Sequence, residues 1–211
     1  MKLLTYCTAS HKTLLRECFL PSIFIKDEFE VELGSGSQHS EVGAYNSPGF
    51  NQTTADKIGY ILAKLEMMEN DERILYSDCD VVFLKPVTKF LSEYENFDMV
   101  FQNGFYELNT GFMLIRNCQV VRTLLRDVID RCDSRTHDQD ALNAIIKRYS
   151  VRYTKFDSRV SCPAAFIYPQ LWDGQKLPVT DAVLVFHACW CVGVERKKLL
   201  LDTVMKNRGD K

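Results

Sequence analysis

Two hydrophobic periods alternate along this chain. Apolar residues recur at helical spacing in several segments, such as Leu14, Leu15, Cys18 and Phe19, and shorter apolar runs of strand length lie between these segments. The predicted strands are residues 3–7, 28–33, 73–77, 97–102, 110–115, 151–156 and 182–187. Strands that alternate with helical segments are typical of an α/β fold. The pattern therefore predicts an α/β domain.

One predicted strand delivers two carboxylates. Residues 73–77 lead into Asp78 and Asp80, which are separated only by Cys79, and an apolar run then continues to Pro86. Carboxylates are costly to bury unpaired, so we expect this pair at the open end of the strand, on a bulge or around a cation. Ligands bind at the carboxyl ends of strands in α/β sheets. A solvated turn is the alternative, and the flanking apolar runs disfavour it.

The helix that precedes this strand carries a lysine near its predicted start. Thr53 or Thr54 is expected to cap a helix with an apolar stripe over residues 58–68. Lys57 would then lie in the first turn, where the helix dipole is already positive. A lysine in that position is more often solvated than functional, but it invites an anionic partner.

Two later strands have polar residues at their ends. Asn109, Thr110 and Gly111 open the strand at residues 110–115, where the glycine indicates a bulge or the close approach of another group to the backbone. His187 ends the strand at residues 182–187. An isolated histidine is more often a satisfied core residue than a ligand, but this one could meet the same ion as the aspartate pair.

A helix start near residue 138 is rich in acids. Thr136 and Gln139 fit a capping box, and Asp138 and Asp140 suit the positive end of a helix. Helix capping explains much of this segment. It does not require two carboxylates that flank an amide beside apolar turns, so the segment is also a candidate for chemistry.

Composition, net charge and cysteine spacing limit the classes of function that this chain can have. The 211 residues are most economically one domain, and a net charge of −2 gives no surface for nucleic acid or anionic membranes. No apolar run reaches the length of a membrane span. The eight cysteines have no metal-binding spacing and lie mostly in apolar runs, which predicts free thiols in a reducing, cytoplasmic compartment. Residues 34–49, rich in glycine and serine, are predicted to form a long loop, favoured as a flap over the site.

Several of these features, in this order, resemble the metal-dependent nucleotide-sugar glycosyltransferases of the GT-A fold. The features are Lys57 on a helix before the strand with Asp78 and Asp80, the segment 109–111 followed by residues 138–140, and His187 at a strand end. They look most like the retaining branch, which includes glycogenin-like and lipopolysaccharide galactosyltransferase-like enzymes. The resemblance covers roughly residues 1–190. The whole chain also looks similar to a chlorovirus-encoded glycosyltransferase domain associated with capsid glycans, which would place it in the host cytoplasm.

The resemblance implies an architecture. A single GT-A-type, Rossmann-like domain over residues 1–194 would have a central mixed, mostly parallel sheet flanked by helices. Residues 195–211 would form a charged C-terminal helix, or a connector to further domains. Residues 155–180 would hold the acceptor region, which is short for the family.

It also implies an activity and a metal. A hexose-type sugar would move from a nucleoside-diphosphate donor, with UDP favoured, to a glycan or glycoprotein acceptor. Mn²⁺, with Mg²⁺ as an alternative, would bind Asp80 and His187 directly, and Asp78 would bind the metal, the ribose or both. Imidazole among the ligands favours Mn²⁺. The metal would stabilise the leaving diphosphate as a Lewis acid.

The remaining residues would hold the donor. Gln139 would lie near the anomeric carbon and Asp138 at the sugar hydroxyls, and the sugar would be transferred with retention and without a strong protein nucleophile. The implied donor-binding residues are Thr5, Tyr6, Cys7, Thr8, Lys57, Asp78, Cys79, Asn109, Thr110 and Gly111.

Three other functions compete with this one. In a haloacid-dehalogenase-type phosphatase Asp78 would be the nucleophile, but such enzymes usually carry the motif near the N-terminus together with a second acidic pair. A sugar-nucleotide pyrophosphorylase needs a glycine-rich basic opening that residues 1–12 lack. A non-catalytic binding module would keep the metal site without turnover.

Overall fold

A computed structural model of the chain describes residues 1–40, 45, 47–162, 172, 174, 177 and 179–206. The strands are β1 (Lys2–Cys7), β2 (Glu30–Ser35), β3 (Arg73–Ser77), β4 (Val81–Phe83), β5 (Met99–Gly104), β6 (Glu107–Arg116), β7 (Tyr153–Lys155), β8 (Val160–Ser161) and β9 (Val185–His187). The helices are α1 (three consecutive segments, Lys12–Leu14, Leu15–Phe19 and Leu20–Ser22), α2 (Phe50–Glu66), α3 (Thr88–Leu91), α4 (Gln119–Arg131), α5 (Asp138–Ile145) and α6 (Val194–Lys206). None of the helices described is long and apolar enough to cross a membrane.

The six-stranded central sheet has the order β2-β1-β3-β6-β5-β7. The pairings β1–β2, β1–β3 and β5–β7 are parallel, and β6 runs antiparallel to both of its neighbours. Strands β4, β9 and β8 form a second, smaller sheet. The predicted α/β fold, with a mixed and mostly parallel central sheet flanked by helices, is confirmed.

Helices cover the sheet on two sides. Helices α2, α4 and α5 bury their apolar stripes against one face, around Tyr76, Met99 and Ile115. Helix α1, helix α3 and the small sheet pack on the other face, around Phe83 and Phe112. Helix α6 joins this side through Leu200, Leu201 and Val204, which pack in one cluster with residues of α1 and β4. Burial of this kind supplies about 25 cal/mol per Å² of apolar surface.

The predicted start of α2 was wrong. The helix begins at Phe50 after Gly49, which adopts a left-handed φ of 81°. The hydroxyls of Thr53 and Thr54 donate back to the carbonyls of Gly49 and Asn51, at 3.2 and 2.9 Å, and therefore lie inside the helix rather than at its cap. Lys57 is consequently the eighth residue of α2, in its third turn and away from the positive end of the dipole.

Two further local predictions were also wrong. The N-cap of α5 is His137, whose Nδ1 accepts from the Gln139 backbone N–H at 3.3 Å, so Thr136 and Gln139 form no capping box. The segment 109–111 lies inside β6 and does not open it, because β6 starts at Glu107 to close a hairpin with β5. Parts of the predicted loop at 34–49 (residues 41–44 and 46) and of the predicted acceptor region (residues 163–171, 173, 175, 176 and 178) lie outside the described residues.

Candidate active site

The end of β3 meets the first half of β6. These strands are antiparallel, with Ser77 opposite Phe112, and the Asp78 N–H donates to the Gly111 carbonyl at 2.7 Å. The β5–β6 register breaks at the same point: Phe101 lies opposite Met113, but Gln102 lies opposite Asn109. The residues left over on β6 bulge from the ladder towards Asp78. Bulges of this kind are common beside active sites, where they redirect side chains.

Asp78, Asp80 and His187 form a cluster of metal-ligand type. Each offers one ligand atom, and these atoms lie within 4.8 Å of one another. The antiparallel pairing of β4 with β9 places Val81 opposite His187 and so brings the histidine to the aspartates. His187 Nε2 is 3.2 Å from Asp80 Oδ1. Two carboxylates and an imidazole suit a divalent cation, and the imidazole favours Mn²⁺ over Mg²⁺.

Two neighbouring residues fix the geometry of this cluster. His187 Nδ1 donates to the side-chain oxygen of Gln102 at 2.7 Å, which leaves Nε2 directed at Asp80. An outer hydrogen bond of this kind orients histidine ligands at metal sites. A Cβ atom on Gly111 would overlap the His187 ring and lie 2.8 Å from Asp78 Oδ2. Gly111 is therefore required for the close approach of two ligands, as the sequence suggested.

A lysine from α6 also reaches this cluster. The Lys197 ammonium forms an ion pair and hydrogen bond with Asp80 Oδ2, and the Asp80 side chain is only 7% exposed. Burial disfavours the Asp80 carboxylate, but Lys197 and His187 outweigh it and hold the pKa of Asp80 well below its usual value. Asp80 is therefore ionised, as a metal ligand must be.

Lys57 lies at the centre of a second ion cluster. Its ammonium is 2.7 Å from Asp138 Oδ2 and 3.7 Å from Asp78 Oδ1. The Thr110 hydroxyl donates to the same Asp138 oxygen at 2.8 Å, and the Thr54 hydroxyl accepts from the Asp138 N–H at 3.3 Å. Burial opposes both charges, but the pair outweighs it, so the pKa of Lys57 is raised and the pKa of Asp138 is lowered. Lys57 is therefore buried and charged, with two anionic partners rather than the solvated position that is more common for a lysine.

The Gln139 side chain is held on two sides at the start of α5. Its amide oxygen accepts from Asn109 Nδ2 at 2.9 Å, and its amide nitrogen donates to Glu107 Oε1. Asn109 in turn accepts from the Gly111 N–H at 2.9 Å. The β6 bulge therefore orients an amide group beside the Lys57–Asp138 pair.

These groups line one cleft of about 470 Å³. The sequence-predicted site residues that line it are Tyr6, Thr8, Lys57, Asp78, Cys79, Asp80, Asn109, Thr110, Gly111, Asp138, Gln139 and His187. Thr5 and Cys7 do not line it, because alternate residues of β1 point away: Thr5 is fully buried and the Cys7 thiol donates to the Thr8 carbonyl at 3.3 Å. Their predicted role in donor binding is not supported by this geometry.

Sequence reasoning missed several cleft residues, among them the ionisable residues His11, Glu107, His137 and Lys197. Burial and the nearby Lys197 charge lower the pKa of His11, which favours a neutral imidazole. His137 was placed in the capping segment of a helix start, and Glu107 in an interruption between strands. The only available signal was their position next to predicted site residues, two away from Gln139 for His137 and two from Asn109 for Glu107.

The cleft therefore combines a cation site with an amide and a buried ion pair at the carboxyl edge of an α/β sheet, which is a typical place for a nucleotide ligand. The sequence model of the nucleotide-diphospho-sugar transferase family matches residues 20–201, and the chain belongs to this family. Comparison with curated protein sequences gives no significant match.

Solved structures with the same fold are glycosyltransferases. A glycosyltransferase involved in the glycosylation of the major capsid of PBCV-1 is 16% identical, with a TM-score of 0.65 over 95% of this chain and 98% of that chain. Mouse xyloside xylosyltransferase 1 is 12% identical, with a TM-score of 0.53 over 89% and 98%. The galactosyltransferase LgtC, solved with donor and acceptor sugar analogs, is 15% identical, with a TM-score of 0.50 over 96% of each chain. The predicted GT-A glycosyltransferase fold is confirmed.

Proposed function

We propose that this chain transfers a hexose-type sugar from a nucleoside-diphosphate donor, UDP-linked by preference, to a glycan or glycoprotein acceptor, with Mn²⁺ and with retention of configuration. One observation carries the proposal: Asp78, Asp80 and His187 converge within 4.8 Å in a cleft that is also lined by Asp138 and Gln139. A diphosphate with its metal would fit at the first group, and the sugar would fit beside it at the second.

Asp80 and His187 would hold the metal directly, with Asp78 as a third ligand or as a contact to the ribose. The residues fit such a group because Gly111 allows His187 and Asp78 to approach each other and Gln102 orients the His187 ring with Nε2 towards Asp80. A bound divalent cation supplies Lewis-acid stabilisation of the diphosphate. Lys197, which pairs with Asp80, would be released on metal binding and become available to the phosphate oxygens.

The rest of the cleft would orient the donor. Tyr6, Thr8 and His11 would face the base and ribose, since they line the cleft at the end of β1 and in the segment that follows it. Asp138 would accept hydrogen bonds from sugar hydroxyls, while Lys57 keeps that carboxylate ionised. A fixed carboxylate positions the sugar without reorganisation during the reaction.

Gln139 would act at the anomeric centre. Its amide oxygen, held in place by Asn109, provides a partial negative charge for a short-lived oxocarbenium ion. The Asp138 carboxylate is engaged by Lys57 and Thr110, so it is poorly suited to act as a nucleophile. Acceptor attack on the face that the diphosphate leaves would then retain the configuration.

The cellular compartment of the reaction is also part of the proposal. All eight cysteines are free thiols, which favours a reducing compartment such as the cytoplasm, host cytoplasm if the chain is viral. Asp78 and Asp80 share their cluster with His187, a ligand set suited to a divalent cation, and the family match is to nucleotide-diphospho-sugar transferases rather than to phosphatases.

Thermal unfolding tests the donor site. Ligands that bind only the native state raise the melting temperature by mass action. We expect a shift with UDP or a UDP-sugar that requires Mn²⁺ and disappears in Asp80→Asn, followed by release of UDP when acceptor is added. The absence of a shift with every nucleoside diphosphate would refute the proposal, and binding without turnover would indicate a non-catalytic module.

A further inference from the structure

Two exposed aromatic residues form the tip of the β5–β6 hairpin. Gly104 pairs with Glu107, so Phe105 and Tyr106 alone make the turn. Phe105 is 46% exposed and Tyr106 is 76% exposed. Their rings lie edge to face, with centroids 4.7 Å apart. Exposed aromatic surface beside a cleft is typical of a ligand-binding surface.

The backbone of this turn is unfavourable for its residues. Phe105 has a φ of 74°, and the Tyr106 N–H donates to the Gly104 carbonyl at 3.0 Å. A bond across one residue with positive φ is the rare and strained form of the γ-turn. Two-residue hairpin turns with positive φ favour glycine or asparagine. An aromatic residue in that position breaks the local rule, and such violations concentrate at functional sites.

The hairpin tip adjoins the part of the cleft that is proposed to hold the sugar. Gly104 and Glu107, which flank the two aromatic residues, both line the cleft. Glu107 also accepts a hydrogen bond from Gln139, the residue proposed for the anomeric centre. The residues proposed for the base and the metal lie on other elements, at the ends of β1, β3 and β9. The tip therefore adjoins the place where an acceptor has to approach the transferred sugar.

We propose that Phe105 and Tyr106 form a stacking platform for a sugar ring of the acceptor. This inference rests on the proposed function. Aromatic rings present large, rigid and amphipathic surfaces that pack on the apolar C–H face of a pyranose. Glu107 adds a carboxylate that can accept hydrogen bonds from the hydroxyls of the same ring. The platform selects a glycan acceptor over water or a small alcohol.

The direct test measures sugar binding in the presence of UDP and Mg²⁺. Methyl glycosides of glucose, galactose, xylose and fucose serve as probes, and saturation-transfer NMR detects their binding. Mg²⁺ is used because paramagnetic Mn²⁺ broadens the signals. We expect at least one probe to bind the wild-type chain and to lose at least about ten-fold in affinity in Phe105→Gly and in Tyr106→Ala, a change of about 1.4 kcal/mol.

The choice of variants separates binding from folding. Phe105→Gly removes a ring and also relieves the positive φ, so its melting temperature should be equal to or above that of the wild type. Tyr106→Phe keeps the ring and should keep probe binding. Ile25→Ala removes an apolar side chain that is 96% exposed and lies away from the cleft, and it should change nothing.

The outcomes distinguish this inference from the proposed function. If the wild type shows its Mn²⁺-dependent shift with UDP but binds no probe, or if Phe105→Gly and Tyr106→Ala bind probes normally, the platform is refuted and the donor site stands. If these variants lose binding to phospholipid vesicles but keep probe binding, the tip is a membrane contact and the platform is again refuted. If the wild type binds no nucleotide, the proposed function itself fails.

Discussion

The cleft contains two buried ion centres, one around Asp138 and one around Asp80, and they differ in where the charged partners of the aspartate come from. In the first, Asp138 is paired with Lys57 and bonded to Thr110 and Thr54, and the two charged side chains are 3% and 9% exposed. In the second, Asp80 is shared by His187 and by Lys197, whose side chain is 19% exposed. The partners of Asp138 come from α2 and β6 in the packed core, whereas the cation at Asp80 comes from α6 near the end of the described chain.

This difference indicates that the first centre is a fixed part of the structure, whereas the second can exchange its cation. A buried pair with every partner built into the core stays formed, and its purpose is to keep one carboxylate ionised and fixed. A carboxylate held by a lysine on a peripheral helix can exchange that lysine for a divalent ion. Under the proposed function, the first centre would position the sugar, and the second would be the place where a metal binds. Four substitutions test this division.

The largest effect is expected from Asp80→Asn. The variant loses a negatively charged ligand, so the Lewis acid is no longer held at the diphosphate. We expect kcat/KM for sugar transfer to fall roughly 1,000-fold, or about 4 kcal/mol. Asp140→Asn is the matched control, because Asp140 is a half-exposed acid at the start of α5. Transfer within ten-fold of wild type in Asp80→Asn would contradict the assignment.

Asp138→Asn should mainly lower stability. Removing one partner leaves Lys57 buried without a counter-charge, at a cost of roughly 3 kcal/mol in the free energy of unfolding. Chemical denaturation measures this loss. The double variant Lys57→Met with Asp138→Leu should recover most of the stability without recovering transfer, since it removes both charges. A double variant as unstable as Asp138→Asn would show that the instability does not come from an unpaired Lys57 charge.

The same pair predicts a pH dependence. The pKa of Asp138 is lower in the folded protein than the ordinary carboxyl value of about 3.9. Its contribution to stability is therefore complete above that value and is lost as the pH falls through the lower, folded-state pKa. The stability difference between wild type and Asp138→Asn should shrink in acid. A constant difference down to the acid transition would contradict the sign of the shift.

Gly111→Ala should damage the second centre through geometry alone. The added methyl group overlaps the His187 ring and must displace it. A displacement of about 1 Å can cost on the order of 100-fold in rate, so we expect that loss in kcat/KM with little change in fold. Gly59→Ala is the control: its Cβ meets nothing within 4 Å, and it should stabilise α2 by about 1 kcal/mol. Equal activity in both variants would refute the packing argument.

Lys197→Met should give the smallest and most specific effect. It removes the cation that competes for Asp80, so Mn²⁺ should bind about five-fold more tightly without nucleotide, as expected for a pair worth about 1 kcal/mol. With UDP present the gain should vanish, because Lys197 would then bind the phosphates under the proposed function. Lys198→Met, which carries the same charge change one residue away, is the control. Unchanged or weaker binding without nucleotide would contradict the exchange.

The features that could be predicted from the sequence are those that depend on where strands end. Asp78, Asp80 and His187 each follow or end an apolar run, and the edge of a sheet brings such positions together whatever the details of packing. The α/β class followed from the same alternation of periods. These predictions needed no knowledge of side-chain direction.

The sequence did not predict what depends on register and on tertiary packing. Thr5 and Cys7 were placed in the donor site, but the alternation of β1 turns them away from the cleft. Lys57 was expected near a helix start because the turn at Gly49 was not recognised. Lys197 was assigned to a charged C-terminal segment. It reaches Asp80 only because Leu200 and Leu201 pack α6 against the core.

The most direct test of the account is a titration of Mn²⁺ followed by electron paramagnetic resonance of the free ion, with and without UDP. The account predicts one Mn²⁺ site per chain, tightened by UDP, retained in Asp140→Asn and lost in Asp80→Asn. Mn²⁺ binding that is not tightened by UDP, or that is retained in Asp80→Asn, would contradict the claim that this cleft is a metal-dependent site for a nucleotide sugar.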